Sequence, residues 1–392
     1  MRSFSYYQPT KIIFGPGRSE EIGQVAAGFG RRCLLVTTLK IPQVLPAYHK
    51  VINSLERQQI KVFCFNEVIP NPTVEVVARG SALAKREKVE MVLGLGGGSS
   101  LDTAKAIAVE VTHQGSCWDY IFSSNTQPTA ATLPIIAIPT TSGTGSHVTQ
   151  VAVVTNPKEK YKSALFHPIL FPRAAIVDPE NTLTLPPKMT AITGFDAFSH
   201  AFETFINPNS SPFTDILALE AIKIIIRYLP EAVSNGQKLE NRSWMAWADT
   251  LAGLSIANGG VTLPHGIAMA LGGRFPHVAH GEALAAVYPA MLDYTYKFAI
   301  EKFAEVARLF DPALKEKAEE EAARKLGELI TAFLERIGLR LCLSDFGIRD
   351  NELEDLAAAS MVLPDYKNHP WVANIKEITE LLLKSYKTER EK

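Results

Sequence analysis

The chain has 392 residues, 46% of them hydrophobic and 21% charged, with a formal net charge of -1. That length exceeds what one hydrophobic core usually supports and predicts two domains. The balanced charge gives no electrostatic footprint for nucleic acid or an anionic membrane surface, and no apolar run approaches the length that spans a bilayer.

The amino-terminal stretch MRSFSYYQPTKIIFG lacks the apolar core of a signal peptide. Lys11–Phe14 is the first predicted strand, with a turn at Gly15–Pro16–Gly17. Residues 32–37 (RCLLVT) form a continuous apolar run of the kind buried in a parallel sheet. Helical spacing over 48–59, a strand at 61–65 and a helix from the Asn71–Pro72–Thr73 cap to about Lys88 come next. Then follow a strand at 91–95, a loop at 96–100, a helix at 101–111 and a buried strand at 134–138. This βαβ order predicts a doubly wound parallel sheet, Rossmann-like, with right-handed crossovers.

Beyond Pro186–Pro187 the pattern turns helical, over 188–206, 215–229, 242–258, 299–310, 316–337, 351–360 and 375–386. The expected organisation is an α/β dinucleotide-binding domain over residues 1–183 and an all-α catalytic domain over 184–392, facing each other across a cleft. Cys33, Cys64, Cys117 and Cys342 lie far apart without CxxC spacing. They suit the reduced thiols of a cytoplasmic protein better than a disulfide framework or a zinc cluster.

The segment GLGGGSSLDTAK (94–105) follows a strand and opens a helix. Its glycines let backbone approach a pyrophosphate, and free N–H groups at a helix start face the anion. It departs from GxGxxG, and a glycine triplet alone also makes a plain tight turn. A second polar loop, PTTSGTGS (139–146), follows the next strand and suits phosphate and ribose. Lys162 is placed to reach a ribose, or else to sit solvated at the surface.

Asp196 and His200 in GFDAFSHAFE are four apart, so a helix projects both from one face. Such pairs also occur as ordinary polar contacts. Here the surrounding helix is otherwise apolar, and both groups are costly there without a partner. With His265 in TLPHGIAM and His280 in VAHGEAL, they form an N₃O set suited to a divalent transition metal with an open position. A phosphate cradle plus such a site points to a nicotinamide-dependent dehydrogenase.

GLGGGSSLDTAK, IPTTSGTGS, the DPE of Asp178–Glu180, TGFDAFSHAFE, PHGIAMALGG and HGEA together resemble the signature segments of the iron-containing (group III) alcohol dehydrogenases. The resemblance runs from about residue 5 to 386. It implies a dehydroquinate-synthase-like fold, a homodimer formed through the N-terminal strands, and metal ligands at Asp196, His200, His265 and His280. It implies nicotinamide contacts at Asn71, Gly97, Gly98, Ser99, Asp102, Thr140, Thr141, Thr144 and Lys162. Fe2+ is the expected metal, with Zn2+ also accepted by the donor set, and NAD or NADP the cofactor. The expected reaction interconverts a primary alcohol or small diol and its aldehyde by hydride transfer.

The chain departs from the resembled pattern at three places. Thr38, with Lys40 nearby, stands where many members have an Asp that bonds the adenosine ribose, which favours tolerance of NADP. His147 stands where many have Glu. Met269 replaces a further His, leaving His277 as a candidate proton relay. The alternatives are a glycerol-dehydrogenase-like zinc enzyme, a sugar-phosphate cyclase of the dehydroquinate-synthase kind, and a scaffold with structural histidines. The cyclase predicts clustered Lys and Arg at the ligands, yet residues 190–206 contain neither.

Overall fold

The computed structural model describes residues 3–39 and 42–387; Lys40 lies outside them. In chain order the first part carries β1 (Lys11–Phe14), α1 (Ile22–Ala26), β2 (Arg32–Thr38), α2 (Leu45–Arg57), β3 (Lys61–Val68), α3 (Val74–Arg86), β4 (Met91–Gly96), α4 (Gly98–Glu110) and β5 (Ile135–Pro139). A hairpin of β6 (Val151–Asn156) and β7 (Tyr161–Phe166) and a last strand, β8 (Ala174–Val177), complete it. Then come α5 (Pro187–Ile206), α6 (Pro212–Ser234), α7 (Leu239–Gly259), α8 (Leu263–Arg274), α9 (His280–Thr295), α10 (Ile300–Phe310), α11 (Glu319–Arg336), α12 (Leu353–Ser360) and α13 (Ile375–Lys384).

Six strands form an all-parallel sheet in the order β1-β8-β5-β4-β2-β3. Every carboxyl end therefore lies on one edge. The chain leaves β2 for β3 on one side, then returns past β2 to β4 on the other. The reversal between β2 and β4 opens the crevice where such sheets bind ligands. Apolar residues of β2, β4 and β5 feed buried clusters on both faces of the sheet, as their near-continuous hydrophobic runs require.

The predicted strands and most predicted helices recur with ends shifted by a few residues. The glycine-rich segment is less loop than expected: α4 begins at Gly98, directly after Gly97. Lys162 lies within β7, not after the hairpin, and is buried. Among the described residues, α1, β8, α8 and α9 went unanticipated. The run of β8 is only four residues long. His265 and His280 lie on α8 and α9, where short His-Gly segments had been expected. Both helices are apolar all round, so no amphipathic stripe betrays them.

The helical part has its own core, centred on α5, in which every residue from Thr190 to Ile206 is buried. Phe195, Phe198, Phe202 and Tyr288 pack as an aromatic group there. Phe195, Phe202 and Tyr288 are fully buried, so they build the core rather than a cleft wall. Among the described residues no helix is long and apolar enough to cross a membrane.

Asp178, of the DPE segment, is buried with its carboxylate accepting from the Gly17 and Ser19 N–H groups, both at 3.0 Å. It ties the turn after β1 to the end of β8. That segment closes the sheet instead of reaching toward the metal residues.

Candidate metal and nicotinamide site

Three helices converge on one carboxylate oxygen. Asp196 and His200 project from successive turns of α5, His265 from the first turn of α8, and His280 is the first residue of α9. Asp196 Oδ1 lies 3.8 Å from His200 Nε2, 3.7 Å from His265 Nε2 and 3.8 Å from His280 Nε2. Asp196, His265 and His280 meet the distance requirement for holding one ion together. His200 stacks on His265, with ring centroids 4.6 Å apart.

The donor atoms themselves argue for a cation. Asp196 Oδ1 and His265 Nε2 are buried and have no hydrogen-bond partner among the described residues. Leaving such atoms unpaired costs about 1–3 kcal/mol each. A divalent ion among an Asp oxygen and imidazole nitrogens removes that cost. Burial alone lowers His265, but the Glu203 and Asp196 carboxylates outweigh it and push the imidazole up to about 10. The pocket thus draws positive charge to Nε2, and a divalent ion meets that demand by displacing the proton. Burial raises Asp196, yet the three histidines outweigh it and hold the carboxyl at about 2.

Two ligand rings are oriented from behind. His265 Nδ1 donates to Glu203 Oε1 at 2.7 Å, which leaves Nε2 free as a ligand. Glu203 also accepts from Thr262 N at 2.8 Å, Thr262 Oγ1 at 3.1 Å and Tyr288 OH at 3.3 Å. His200 Nδ1 donates to the Gly143 carbonyl at 3.1 Å, fixing the same tautomer. His280 Nδ1 is buried with no partner among the described residues. Burial lowers its pKa, helped by the charge of Lys162 and against the pull of Asp196, and so favours a neutral ring.

The sequence expectations passed over Glu203, although its signal was present. Asp196, His200 and Glu203 are spaced i, i+4, i+7 on one face of an apolar helix.

The two polar loops meet face to face at the carboxyl ends of β4 and β5. A Cβ at Gly97 would sit 3.2 Å from Thr141 Cγ2, and one at Gly98 2.6 Å from Thr144 Cγ2. Thr140 N bonds Gly96 O at 3.0 Å. Asp102 ties the loops to the hairpin: Oδ1 accepts from Ser146 Oγ at 2.6 Å and Oδ2 from Val153 N at 3.1 Å. Ser99 lies in the first turn of α4, beside Gly98.

Lys162 links the two halves of the site. Its Nζ donates to Asn71 Oδ1 at 2.9 Å, and its charge is felt by both Asp102 and Asp196. Burial lowers its pKa to about 8. Glycines permit the approach. A Cβ at Gly272 on α8 would lie 3.2 Å from Lys162 Cδ, and one at Gly273 would lie 2.9 Å from Lys160 O.

Thr38 ends β2 on the same edge, its hydroxyl donating to Val68 O at 3.2 Å. His277 is not brought to the ligands: it is exposed, with Nε2 against Phe346 O at 3.0 Å. A relay through it finds no geometry, because the segment before α9 turns that ring outward.

A close backbone contact couples the second loop to α7. A Cβ at Gly253 would sit 2.6 Å from Val148 Cγ2 and 2.8 Å from Gly145 Cα. Gly253→Ala should therefore cost about 1–3 kcal/mol of stability and push the loop off its place. Thermal melting reports the first effect and nicotinamide titration the second.

The sequence model described as iron-containing alcohol dehydrogenase matches residues 9–179. The one described as Fe-containing alcohol dehydrogenase family, C-terminal, matches residues 190–386. The chain belongs to the iron-containing alcohol dehydrogenase family.

This family member is 37% identical to a choline dehydrogenase of Bacillus subtilis, covering 96% of this chain and 94% of that protein. It is 32% identical to a 1,3-propanediol dehydrogenase of Klebsiella pneumoniae, covering 98% and 99%. Its structure matches that of an archaeal alcohol dehydrogenase from a Red Sea brine pool with a TM-score of 0.93, at 33% identity, covering 98% and 100%. The NADH-dependent butanol dehydrogenase A of Thermotoga maritima matches with a TM-score of 0.89, at 29% identity and 99% of each chain. The reaction is alcohol–aldehyde interconversion with a nicotinamide cofactor, and the cyclase and scaffold alternatives fall away.

Proposed function

We propose that this chain interconverts a small primary alcohol or diol and its aldehyde, using ferrous iron held by Asp196, His200, His265 and His280. The observation that carries the reading is the meeting of three imidazole Nε2 atoms around the orphaned Asp196 Oδ1, each 3.7–3.8 Å away. A divalent ion supplies Lewis acidity toward the substrate oxygen, and the nicotinamide accepts or gives the hydride. Zinc suits the same donors, and availability helps to decide occupancy.

The protein's part is binding and orientation. Backbone N–H groups at the start of α4 face the pyrophosphate, with Gly97, Gly98 and Ser99 allowing close approach. Thr140, Thr141 and Thr144 bring hydroxyls toward phosphate and ribose from the neighbouring loop. Asn71 and Lys162 take the nicotinamide-side ribose, and Asp102 keeps both loops in register. Asp196, His200 and His265 are buried and limit water at the reacting oxygen, while the half-buried His280 stands on the more open side. The edge strand β1 supports dimer formation, and the spread cysteines suit a cytoplasmic protein.

Reduction of NAD and NADP by iron-loaded protein with short primary alcohols, 1,3-propanediol and choline tests the reading and ranks the substrates. No turnover on any of them by protein that carries its metal would reject the alcohol-oxidising assignment. Thr38→Asp should shift the cofactor ratio toward NAD, because a carboxylate there repels a 2′-phosphate. An unchanged ratio would remove Thr38 from the adenosine site.

A further inference from the structure

The turn Gly143–Gly145 is the part of the second loop nearest the candidate metal ligands, and its only side chain, Thr144, faces Gly98 and the Ser146 N–H within the loops themselves. A Cβ at Gly143 would fall 2.4 Å from Thr193 O, and one at Gly145 2.6 Å from Gly253 Cα. The backbone is flush against α5 on one side and α7 on the other. Gly145 also has φ +61, which disfavours other residues.

What holds this turn comes from α7. Gly145 N donates to Asp249 Oδ1 at 2.8 Å, and the Gly143 N–H favours the charged form of the same carboxylate. The Gly143 carbonyl in turn accepts from His200 Nδ1 at 3.1 Å. A continuous chain therefore runs from Asp249 through three residues of backbone to an imidazole of the metal set. Thr144, against Gly98, lies at its centre.

Asp249 is 2% exposed and forms no salt bridge with a lysine or arginine among the described residues. Its nearest ionisable neighbour is His147, whose Nδ1 stands 3.8 Å from Oδ2. That ring is committed elsewhere. Thr250 Oγ1 donates to Ala246 O at 2.9 Å and so accepts from His147 Nε2 at 3.0 Å. Burial, opposed by the two glycine N–H groups, pushes the Asp249 carboxyl up to about 7. A buried carboxylate without a cation is costly, and its hydrogen bonds to the turn are its only evident return.

We propose that Asp249 is a positioning residue that sets the Gly143–Gly145 turn, and through it aligns both His200 at the metal and Thr144 at the nicotinamide. The inference rests on the reading of His200 as a ligand and of this loop as a cofactor loop.

The test compares Asp249→Ala and Asp249→Asn with the parent protein, each substituted with cobalt. Two readouts need no turnover: the visible ligand-field spectrum, which reports the geometry at His200, and the NAD dissociation constant. Asn keeps an oxygen acceptor for Gly145 N–H and should stay within about three-fold of the parent. Ala should alter the spectrum, weaken metal retention by about ten-fold or more, and raise the NAD dissociation constant by a similar factor. Asp249→Ser is too short to reach the turn but can bond its own helix, and it serves if the Ala protein fails to fold. A lowered melting temperature with an unchanged spectrum and unchanged NAD affinity in Ala or Ser would overturn the proposal. So would an Asn protein as impaired as Ala. If the parent takes up no metal, the underlying site reading fails instead, and the two failures remain distinct.

Discussion

Asp196→Ala should lower kcat/KM by about a thousand-fold or more, the equivalent of roughly 4 kcal/mol of transition-state stabilisation. Asp196 Oδ1 lies within 3.8 Å of all three imidazole Nε2 atoms. Removing it leaves crowded imidazole rings with no anionic donor among them and less attraction for a cation. The carboxylate also offsets the positive charge that His265 carries without metal. Metal content should fall together with turnover. Nicotinamide binding should change little, because the phosphate loops stand on β4 and β5 while Asp196 stands on α5. Equilibrium titration with NAD and metal analysis separate the two effects. Activity within ten-fold of the parent would remove Asp196 from the metal site.

Glu203→Ala should destabilise the protein by about 3–5 kcal/mol. One fully buried carboxylate serves Thr262 N, Thr262 Oγ1, His265 Nδ1 and Tyr288 OH. Its removal strands these buried donors and leaves the His265 ring free to turn. Glu203→Gln preserves the volume, but one amide oxygen cannot replace two carboxylate oxygens shared among four donors. The Gln protein should fold and lose metal affinity by about 10–100-fold. Denaturant unfolding of the Ala protein and metal titration of the Gln protein check the pair. Parent-like metal affinity in the Gln protein would show that His265 needs no carboxylate behind it.

The sheet was legible because its strands are short apolar runs bounded by glycine and proline, as in residues 32–37 and 91–95. The two loops proposed for phosphate were picked out because glycine and hydroxyl residues cluster directly after such runs. Asp196 and His200 declared themselves by the cost of two ionisable groups in an apolar helix. The helical nature of α8 and α9 was not readable, since a helix without a polar face has no period to detect. β8 is as short as β1 but lacks the Gly15–Pro16–Gly17 turn that marks the end of β1. The roles of Glu203 and Asp249 depend on partners 62 and 104 residues away in the chain, and spacing alone does not disclose such contacts. His277 drew notice as a substitute for the His that Met269 replaces, while the fold turns it to the Phe346 carbonyl.

The most direct test of the account is a titration of metal-free protein with ferrous iron under anaerobic conditions, following NADH formation from a primary alcohol. The account predicts no turnover without metal, a rise that saturates near one ion per chain, and loss of that response in Asp196→Ala. Turnover of the metal-free protein at the parent rate, undiminished by chelator, would contradict it.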